Sequence, residues 1–336
     1  MKNLDILVAF DMAAPPPADH DYTEYFRHSD WYTEAAVVET LRLNGHAVRT
    51  IGIFDSVQPL LAEVERKRPD IVFNLVELFA NRADLDKNIP ALLELLKIPY
   101  TGCGPLGMAL CNNKAMTKKI LSFHRIKVPD FQVFRPGHRV WLPKKLSFPL
   151  IVKPLREEAS TGISQGSYVT TEEQFQERIR FIHDKFAMAA LAERYIEGRE
   201  LYVGILGHHR LRAFPIREMV FRNVPDDQPR IATYKAKWDK AYREKWGIDS
   251  RFADDLDNGT ARKIVRACKR AYRALNMDSY ARFDCRLTPD GDVYILEGNA
   301  NPELANADEF AEAAERVGLL YIDLLHRIIQ LGLTRG

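Results

Sequence analysis

The segment from residue 280 to 302 constrains the fold more than any other, because it reads as two strands joined by a turn. Its sequence is YARFDCRLTPDGDVYILEGNANP, in which Thr-Pro-Asp-Gly is a strong turn signal. Successive side chains of a strand point to opposite faces of the sheet. One face of the first strand therefore carries Arg282 and Asp284, and one face of the return strand carries Glu297 and Asn299.

This hairpin has the residue types of a metal and phosphate site. Two carboxylates and an amide supply hard oxygen ligands for Mg²⁺, and a guanidinium beside them suits a bound phosphate. The spacing alone fits an ordinary hairpin with solvated charges equally well. Both interpretations stay open on this segment taken by itself.

The bulk composition is that of a globular protein with two or three subdomains. The 336 residues are 46% hydrophobic and 28% charged, and the net charge is +2, which gives no reason to expect nucleic acid or an anionic membrane as a partner. No window holds about 18 uncharged apolar residues, and the first residues do not form a signal peptide. The four cysteines lack metal-type spacing, which predicts reduced thiols in a cytoplasmic protein.

Strand and helix patterns alternate at the start of the chain. Strands are predicted at residues 4–10, 47–53 and 69–76, and helices at residues 33–44, 57–66 and 89–96. Such alternation predicts a parallel sheet covered on both faces. We therefore assign residues 1–110 to a first, α/β domain.

The rest of the chain divides into two further units. Residues 111–190 read as a small α+β unit, with a lysine-bearing helix at 113–123, strands at 126–134 and 150–152, and a second helix at 172–185. Residues 191–336 read as a larger antiparallel sheet with helices at 260–275 and 309–331.

Two long stretches look irregular. Residues 221–246 contain two prolines and a run of lysines, and residues 11–31 contain three consecutive prolines followed by several aromatics. Long irregular segments in compact domains are usually functional loops or disordered. The aromatic side chains favour an ordered segment at 11–31, which we interpret as a substrate cover; a surface insertion without a catalytic role is the alternative.

Four segments together resemble the ATP-grasp superfamily. They are the hairpin and residues 113–121 (NKAMTKKIL), 148–154 (FPLIVKP) and 193–200 (ERYIEGRE), which occur in the family's order. Within the superfamily the chain looks most like D-alanine–D-alanine ligase and its relatives, from about residue 71 to the C-terminus. The resemblance implies an ATP-grasp fold with an N-terminal parallel α/β domain, a small central α+β domain and a C-terminal antiparallel-sheet domain.

The resemblance implies a nucleotide site. Lys114 and Lys153 match lysines that contact phosphates, and residues 156–166, with Ser160 and Gly162, match the loop that closes over them. At the hinge, Glu193 matches the acceptor of the adenine amine, Tyr195 and Ile196 the backbone that meets the adenine edge, and Glu200 the acceptor of the ribose hydroxyls. Glu158 and Ala159 depart from the glycine and serine usual in that loop.

The hairpin matches the family's metal site. Asp284, Glu297 and Asn299 correspond to the ligands of two Mg²⁺ ions, for which Mn²⁺ is a possible substitute. Arg282 corresponds to a residue that neutralises charge on the transferring phosphoryl group, and Lys237 to a lysine that reaches the γ-phosphate. The implied reaction phosphorylates a small-molecule carboxylate with ATP and then transfers the acyl group to an amine. The related ligases are often dimers, so the resemblance favours a homodimer.

The substrate side departs from the dipeptide ligase. Glu77 stands near the family's His-Gly, Trp238 replaces a tyrosine, and Asp308 with Glu309 replaces residues that hold a substrate carboxylate. Carboxylates repel a second carboxylate and favour a cation. An acidic pair also suits the first turn of a helix, which would make it purely structural.

We therefore predict an ATP-dependent carboxylate–amine ligase with substrates other than those of the cell-wall enzyme. The alternatives are a D-alanine–D-alanine or other dipeptide ligase, a kinase on the same fold, and a nucleotide-binding regulator with a decayed site. The intact set Arg282, Asp284, Glu297 and Asn299 argues against decay.

Overall fold

A computed structural model describes residues 2–157, 160–225 and 228–335. Glu158 and Ala159 lie outside the described residues. They are the two residues at which the predicted phosphate loop departs from the family's usual sequence.

The first unit is a three-stranded parallel sheet with helices on both faces. Its elements are β1 (Asp5–Asp11), α1 (Tyr32–Leu43), β2 (Ala47–Ile53), α2 (Gln58–Arg66), β3 (Ile71–Leu75), α3 (Asn88–Leu95) and α4 (Pro105–Cys111). The strand order is β2-β1-β3, and both pairings are parallel. The predicted alternation of strands and helices is confirmed here.

The second unit is a four-stranded antiparallel sheet covered by a helix. Its elements are α5 (Lys114–Phe123), β4 (Phe131–Phe134), β5 (Leu150–Pro154), β6 (Tyr168–Val169), α6 (Glu172–Phe186) and β7 (Ala190–Arg194). The order is β4-β7-β5-β6. Strand β7 pairs with β4 and β5, so it continues this sheet past the boundary that we placed at residue 190.

The third unit is a six-stranded antiparallel sheet with flanking helices. Its elements are β8 (Arg199–Leu206), β9 (Arg212–Ala213), β10 (Arg217–Phe221), α7 (Tyr234–Trp238), α8 (Lys240–Trp246), β11 (Ile248–Phe252), α9 (Asn258–Ala274), β12 (Tyr280–Leu287), β13 (Val293–Ala300), α10 (Glu309–Glu315) and α11 (Tyr321–Leu333). The order is β11-β10-β8-β12-β13, with β9 paired to β8. The three sheets give the predicted fold class.

Two predicted elements differ in kind from the structure, and the strand predicted at 126–134 begins only at Phe131. The single helix predicted at 309–331 is wrong, because the chain breaks between α10 and α11 at Gly318, whose φ of +76° is a left-handed value that favours glycine. The segment predicted as irregular at 221–246 contains α7 and α8. Thr233 and Asp239 cap these short helices, since their side chains accept hydrogen bonds from Ala236 and Tyr242.

The segment at 12–31 is packed onto the first sheet. The hydroxyl of Tyr22 accepts a 2.8 Å hydrogen bond from the backbone of Gly52, and the Tyr22 ring lies edge-on to Phe10 with centroids 4.9 Å apart. Phe10 also contacts Trp31, at 5.6 Å between centroids. These contacts explain how the aromatics order the segment, and its role as a cover stays a prediction.

The first and third units share one hydrophobic core. Residues of β1 and α1 pack in the same cluster as residues of β12, α10 and α11. The second unit has a separate core between its sheet and α6. All four cysteines are buried and free. Among the described residues, no helix combines the length and apolar character needed to span a bilayer.

Candidate nucleotide and metal site

Strands β12 and β13 bring the four polar residues of the hairpin together. They pair antiparallel, with Arg282 opposite Asn299 and Asp284 opposite Glu297. The intervening residues of β12 point into the hydrophobic core, which fixes the polar face on the other side. The register of this pairing shifts between Asp284 and Cys285. A β-bulge or similar irregularity therefore directly follows the polar residues of β12.

Asp284 is the centre of this cluster. The Arg282 guanidinium lies 2.8 Å and 3.1 Å from its two oxygens, and the Asn299 amide donates to its Oδ1 at 3.2 Å. Burial raises the pKa of Asp284, against the lowering effects of Arg282 and Lys237. The predicted neutralising arginine therefore binds this carboxylate directly.

Glu297 lies beside three lysines. Burial alone would raise the pKa of Glu297, but the ammonium groups of Lys114, Lys153 and Lys237 outweigh burial and lower that pKa to about 2. The Lys114 Nζ is 3.8 Å from the Glu297 carboxylate and donates a hydrogen bond to the backbone of Glu157. Glu297 is therefore ionised at neutral pH, and the lysines around it form a positive site that suits a polyphosphate.

A second carboxylate, Glu193, is held by two buried lysines. Its oxygens lie 2.7 Å from Lys153 Nζ and 2.8 Å from Lys118 Nζ. Burial would raise the pKa of Glu193, but the two ammonium groups hold it below its ordinary value. Lys118 also donates to the backbone oxygen of Leu296 at 2.7 Å. An adenine amine bound at Glu193 would therefore donate to carboxylate oxygens that two lysines already contact.

Our sequence reasoning missed Lys118 and Arg286. Lys118 follows Lys114 by one helical turn, so the shared face was a usable signal. Arg286 lies opposite Glu200 in the pairing of β8 and β12, and their side chains are 2.5 Å apart. Glu200 also accepts a 3.0 Å hydrogen bond from the Tyr202 hydroxyl. The predicted ribose acceptor is therefore held between an arginine and a tyrosine.

These side chains surround an open cleft between the four-stranded and six-stranded sheets. Nine predicted residues line it: Lys153, Ser160, Glu193, Tyr195, Ile196, Glu200, Lys237, Asp284 and Glu297. Apolar walls are supplied by Ile151, Ile163, Ile231 and Leu296. A cleft lined by both apolar side chains and charged groups suits a nucleotide, whose base is apolar and whose phosphates are anionic.

Two residues of the predicted phosphate loop have different surroundings. The Ser160 hydroxyl lies at the cleft and donates to the backbone oxygen of Ala232 at 2.8 Å. Gly162 has a φ of +74°, and a side chain there would lie 2.7 Å from Pro154. The glycine is therefore required by backbone conformation and close packing.

None of the four predicted substrate residues is among the described residues that line the nucleotide cleft. Trp238 is exposed at the end of α7, and Glu77 lines a second cleft beside Asp11. Asp308 precedes α10, but its side chain makes no capping hydrogen bond to that helix. Glu309 accepts a 2.5 Å hydrogen bond from the Ser250 hydroxyl and lies 3.9 Å from Arg217.

The donor set fits a hard divalent cation. Asp284, Glu297 and Asn299 offer two carboxylates and one amide oxygen on adjacent strands, which are the ligand types that Mg²⁺ accepts. Within the described ranges, no group of three or more His, Cys, Asp or Glu side chains is arranged for a metal ion. The predicted set of ligands consists of two carboxylates and one amide, and it stays a prediction. The number of bound ions stays a prediction.

The chain is similar in sequence to known proteins. Residues 120–330 match the family model described as D-ala D-ala ligase C-terminus. D-alanine–D-alanine ligase of Geotalea uraniireducens is 31% identical over 298 residues, which cover 88% of each chain. The Pelobacter propionicus enzyme of the same name is 35% identical over 249 residues, covering 73% of this chain and 74% of the relative.

A similar fold occurs in a solved structure. The D-alanine–D-alanine ligase from Bacillus anthracis complexed with ATP superposes with a TM-score of 0.74 at 21% identity. The match covers 98% of this chain and 97% of that one.

Proposed function

The chain belongs to the D-alanine–D-alanine ligase family of ATP-grasp enzymes, and we propose that it joins a carboxylate to an amine on substrates other than two D-alanine molecules. An ATP-grasp ligase forms a carbon–nitrogen bond at the expense of ATP. The observation that carries the enzymatic part is the hairpin, where Arg282, Asp284, Glu297 and Asn299 converge beside the lysine-rich end of the nucleotide cleft.

The reaction has two steps. A carboxylate oxygen of the first substrate attacks the γ-phosphorus of ATP, the bond to the β-phosphate oxygen breaks, and an acylphosphate and ADP result. The amine then attacks the acyl carbon, and phosphate leaves as the amide forms. Phosphorylation is needed because a carboxylate anion is a poor electrophile.

This chain's residues position and neutralise the reacting groups. We assign Lys114, Lys153 and Lys237 to the phosphates, because their ammonium groups act on Glu297 at the cleft. Arg282 is assigned to the charge that develops on the transferring phosphoryl group. Asp284, Glu297 and Asn299 would hold Mg²⁺, which would neutralise charge at the phosphates. A two-ion arrangement is part of this proposal.

The acidic residues near α10 support a change of substrate. Asp308 makes no capping hydrogen bond, and Glu309 is held by Ser250 and Arg217 near the start of the helix. Burial, together with Glu303 and Glu309, raises the pKa of Asp308 to about 6. A substrate carboxylate placed there would meet two further carboxylates and be repelled.

D-alanine–D-alanine ligase itself is the second candidate. It is favoured by relatives of that name that are 31% and 35% identical to this chain. A cytoplasmic location and a homodimer remain our predictions from the sequence.

The test is an ADP-release screen against a grid of amino acids, amines and small carboxylic acids, with product masses read in parallel. We expect ADP only when a carboxylic acid and an amine are both present, with an amide product. D-Ala–D-Ala as the preferred product would establish the second candidate. ADP release with a phosphorylated product and no amine would identify a kinase, and no turnover with any pair would favour a regulator.

A further inference from the structure

A second cleft lies at the carboxyl ends of β1 and β3, against the turn after β13. It is open to solvent, with a volume of about 410 Å³. Its lining includes Asp11, Asp30, Glu34, Glu77 and Glu303, and no lysine, arginine or histidine is among the described residues that line it. We call it the acidic cleft. It borders the reaction hairpin, because Tyr280 of β12 and Asn301, two residues after Asn299, also line it.

Three carboxylates of the acidic cleft, Asp11, Glu34 and Glu303, have no cationic side chain among their partners in the described part of the chain. Burial, together with the nearby charges of Asp11 and Glu303, raises the pKa of Glu34 to about 7. Burial also raises the pKa of Asp11, although the backbone N–H groups of Glu77 and Leu78 lower it in part. Glu303 accepts a hydrogen bond from the Thr33 hydroxyl. A cation in the cleft would relieve the repulsion among these groups.

Asn74 gives an independent indication of a ligand. This side chain lines the acidic cleft and is 2% exposed, and its Nδ2 has no hydrogen-bond partner in the described part of the chain. The Asn74 Oδ1 accepts a 3.4 Å hydrogen bond from the backbone N–H of Val76. This contact places the amide oxygen toward Val76 and leaves the Nδ2 group as the atom without a partner among the described residues. A buried donor without a partner is costly and uncommon. An oxygen atom of a bound molecule would satisfy it.

We propose that the acidic cleft binds a diamino acid, a ligand with two ammonium groups and a carboxylate oxygen, as one of the two substrates. The inference rests on the proposed ligase function, because it assigns the cleft to that reaction. An ordinary α-amino acid has no net charge and would leave the carboxylates uncompensated. A second ammonium group makes the ligand cationic, while its carboxylate oxygen meets the Asn74 amide.

Lysine and norleucine form a matched pair for the test, because they differ in the second ammonium group. Each enantiomer is titrated calorimetrically into the full chain with Mg²⁺ and a non-hydrolysable ATP analogue. For one enantiomer we expect lysine to bind at least about 10-fold more tightly than norleucine, the size of one charge-assisted hydrogen bond. Glu34→Gln and Glu303→Gln should each reduce that preference, whereas Glu39→Gln, an exposed position on the same helix as Glu34, should not.

Three results would overturn the inference: equal affinity for lysine and norleucine, no measurable binding of lysine, or the same preference in Glu34→Gln and Glu303→Gln as in Glu39→Gln. The ADP-release screen separates this outcome from failure of the ligase function. Amide formation without a lysine preference would keep the ligase and remove the diamino acid. Tight lysine binding without ADP release from any pair would keep the acidic cleft as a binding site and remove the ligase.

Discussion

The ammonium group of Lys153 lies 2.7 Å from the Glu193 carboxylate, and both side chains are more than nine-tenths buried. Glu193 is also within 2.8 Å of Lys118. The charge of Lys153 also acts on Glu297, so this lysine is shared between two carboxylates. The contact with Glu193 holds the Lys153 ammonium group in a fixed position at the cleft, where it can meet a phosphate.

Lys153→Ala should weaken binding of a non-hydrolysable ATP analogue by about 10- to 100-fold, because a charge-assisted hydrogen bond is lost. Isothermal titration with Mg²⁺ measures the dissociation constant. Lys144→Ala, at an exposed position of the connector before β5, is the control and should bind normally. An unchanged constant in Lys153→Ala would show that Lys153 serves only the buried ion pair.

Glu297→Gln should reduce turnover by on the order of 100-fold or more while the protein stays folded. The change removes the charge that organises three lysines and a bound cation together. Steady-state ADP formation at saturating Mg²⁺ is the measurement, with circular dichroism as the check on folding. Glu315→Gln at the exposed end of α10 should keep normal rates. Near-normal rates in Glu297→Gln would remove this residue from the site.

Asp308→Ser should raise the Michaelis constant for a cationic amine and relax the preference toward D-alanine, with little effect on ATP. Serine caps a helix about as well as aspartate, so a purely structural role predicts unchanged kinetics. Both amines should be assayed side by side. Asp323→Ser, in the first turn of α11, is the matched control. The same amine preference in both variants would return Asp308 to a structural role and favour the dipeptide ligase.

Glu34→Gln should make the stability of the protein less dependent on pH. The folded pKa of Glu34, about 7, lies above the ordinary value of 4.5. Its stabilising contribution is therefore complete below pH 4.5 and is lost as the pH rises through 7. Glutamine does not titrate, so the variant should gain stability relative to the native chain as the pH rises, by roughly 1–3 kcal/mol at pH 8.

Urea unfolding at pH 5 and pH 8 measures this difference, with Glu39→Gln as the control. Asp11 and Glu303 are the charged groups that face Glu34 and remain in the variant. A constant difference between Glu34→Gln and the native chain across this range would mean that Glu34 titrates normally.

Much of the fold was predictable because its signals are local. One short segment contains the period-2 pattern of both β12 and β13. The turn between these strands contains Gly291, which has a left-handed φ of +78°. The break at Gly318 was missed because apolar periodicity continues from α10 into α11 and hides the glycine signal. Helices α7 and α8 were missed because each has fewer than eight residues among prolines and lysines.

The site was predictable where residues lie close in sequence. Lys118 and Arg286 were missed because their partners, Glu193 and Glu200, come from other strands. The acidic cleft was missed for the same reason. Its carboxylates come from β1, α1, the segment after β3 and the turn after β13, and no local pattern relates them.

The core shared by β1, α1, β12, α10 and α11 sets how this protein can be dissected. Expressed alone, residues 1–110 would present a bare apolar face where α10 and α11 normally pack, and we expect such a fragment to aggregate. The segment between α5 and β7 keeps its own core and is the piece that exchange between homologous enzymes would tolerate best. Chimeras of this enzyme should therefore replace the middle of the chain and keep its two ends from one parent.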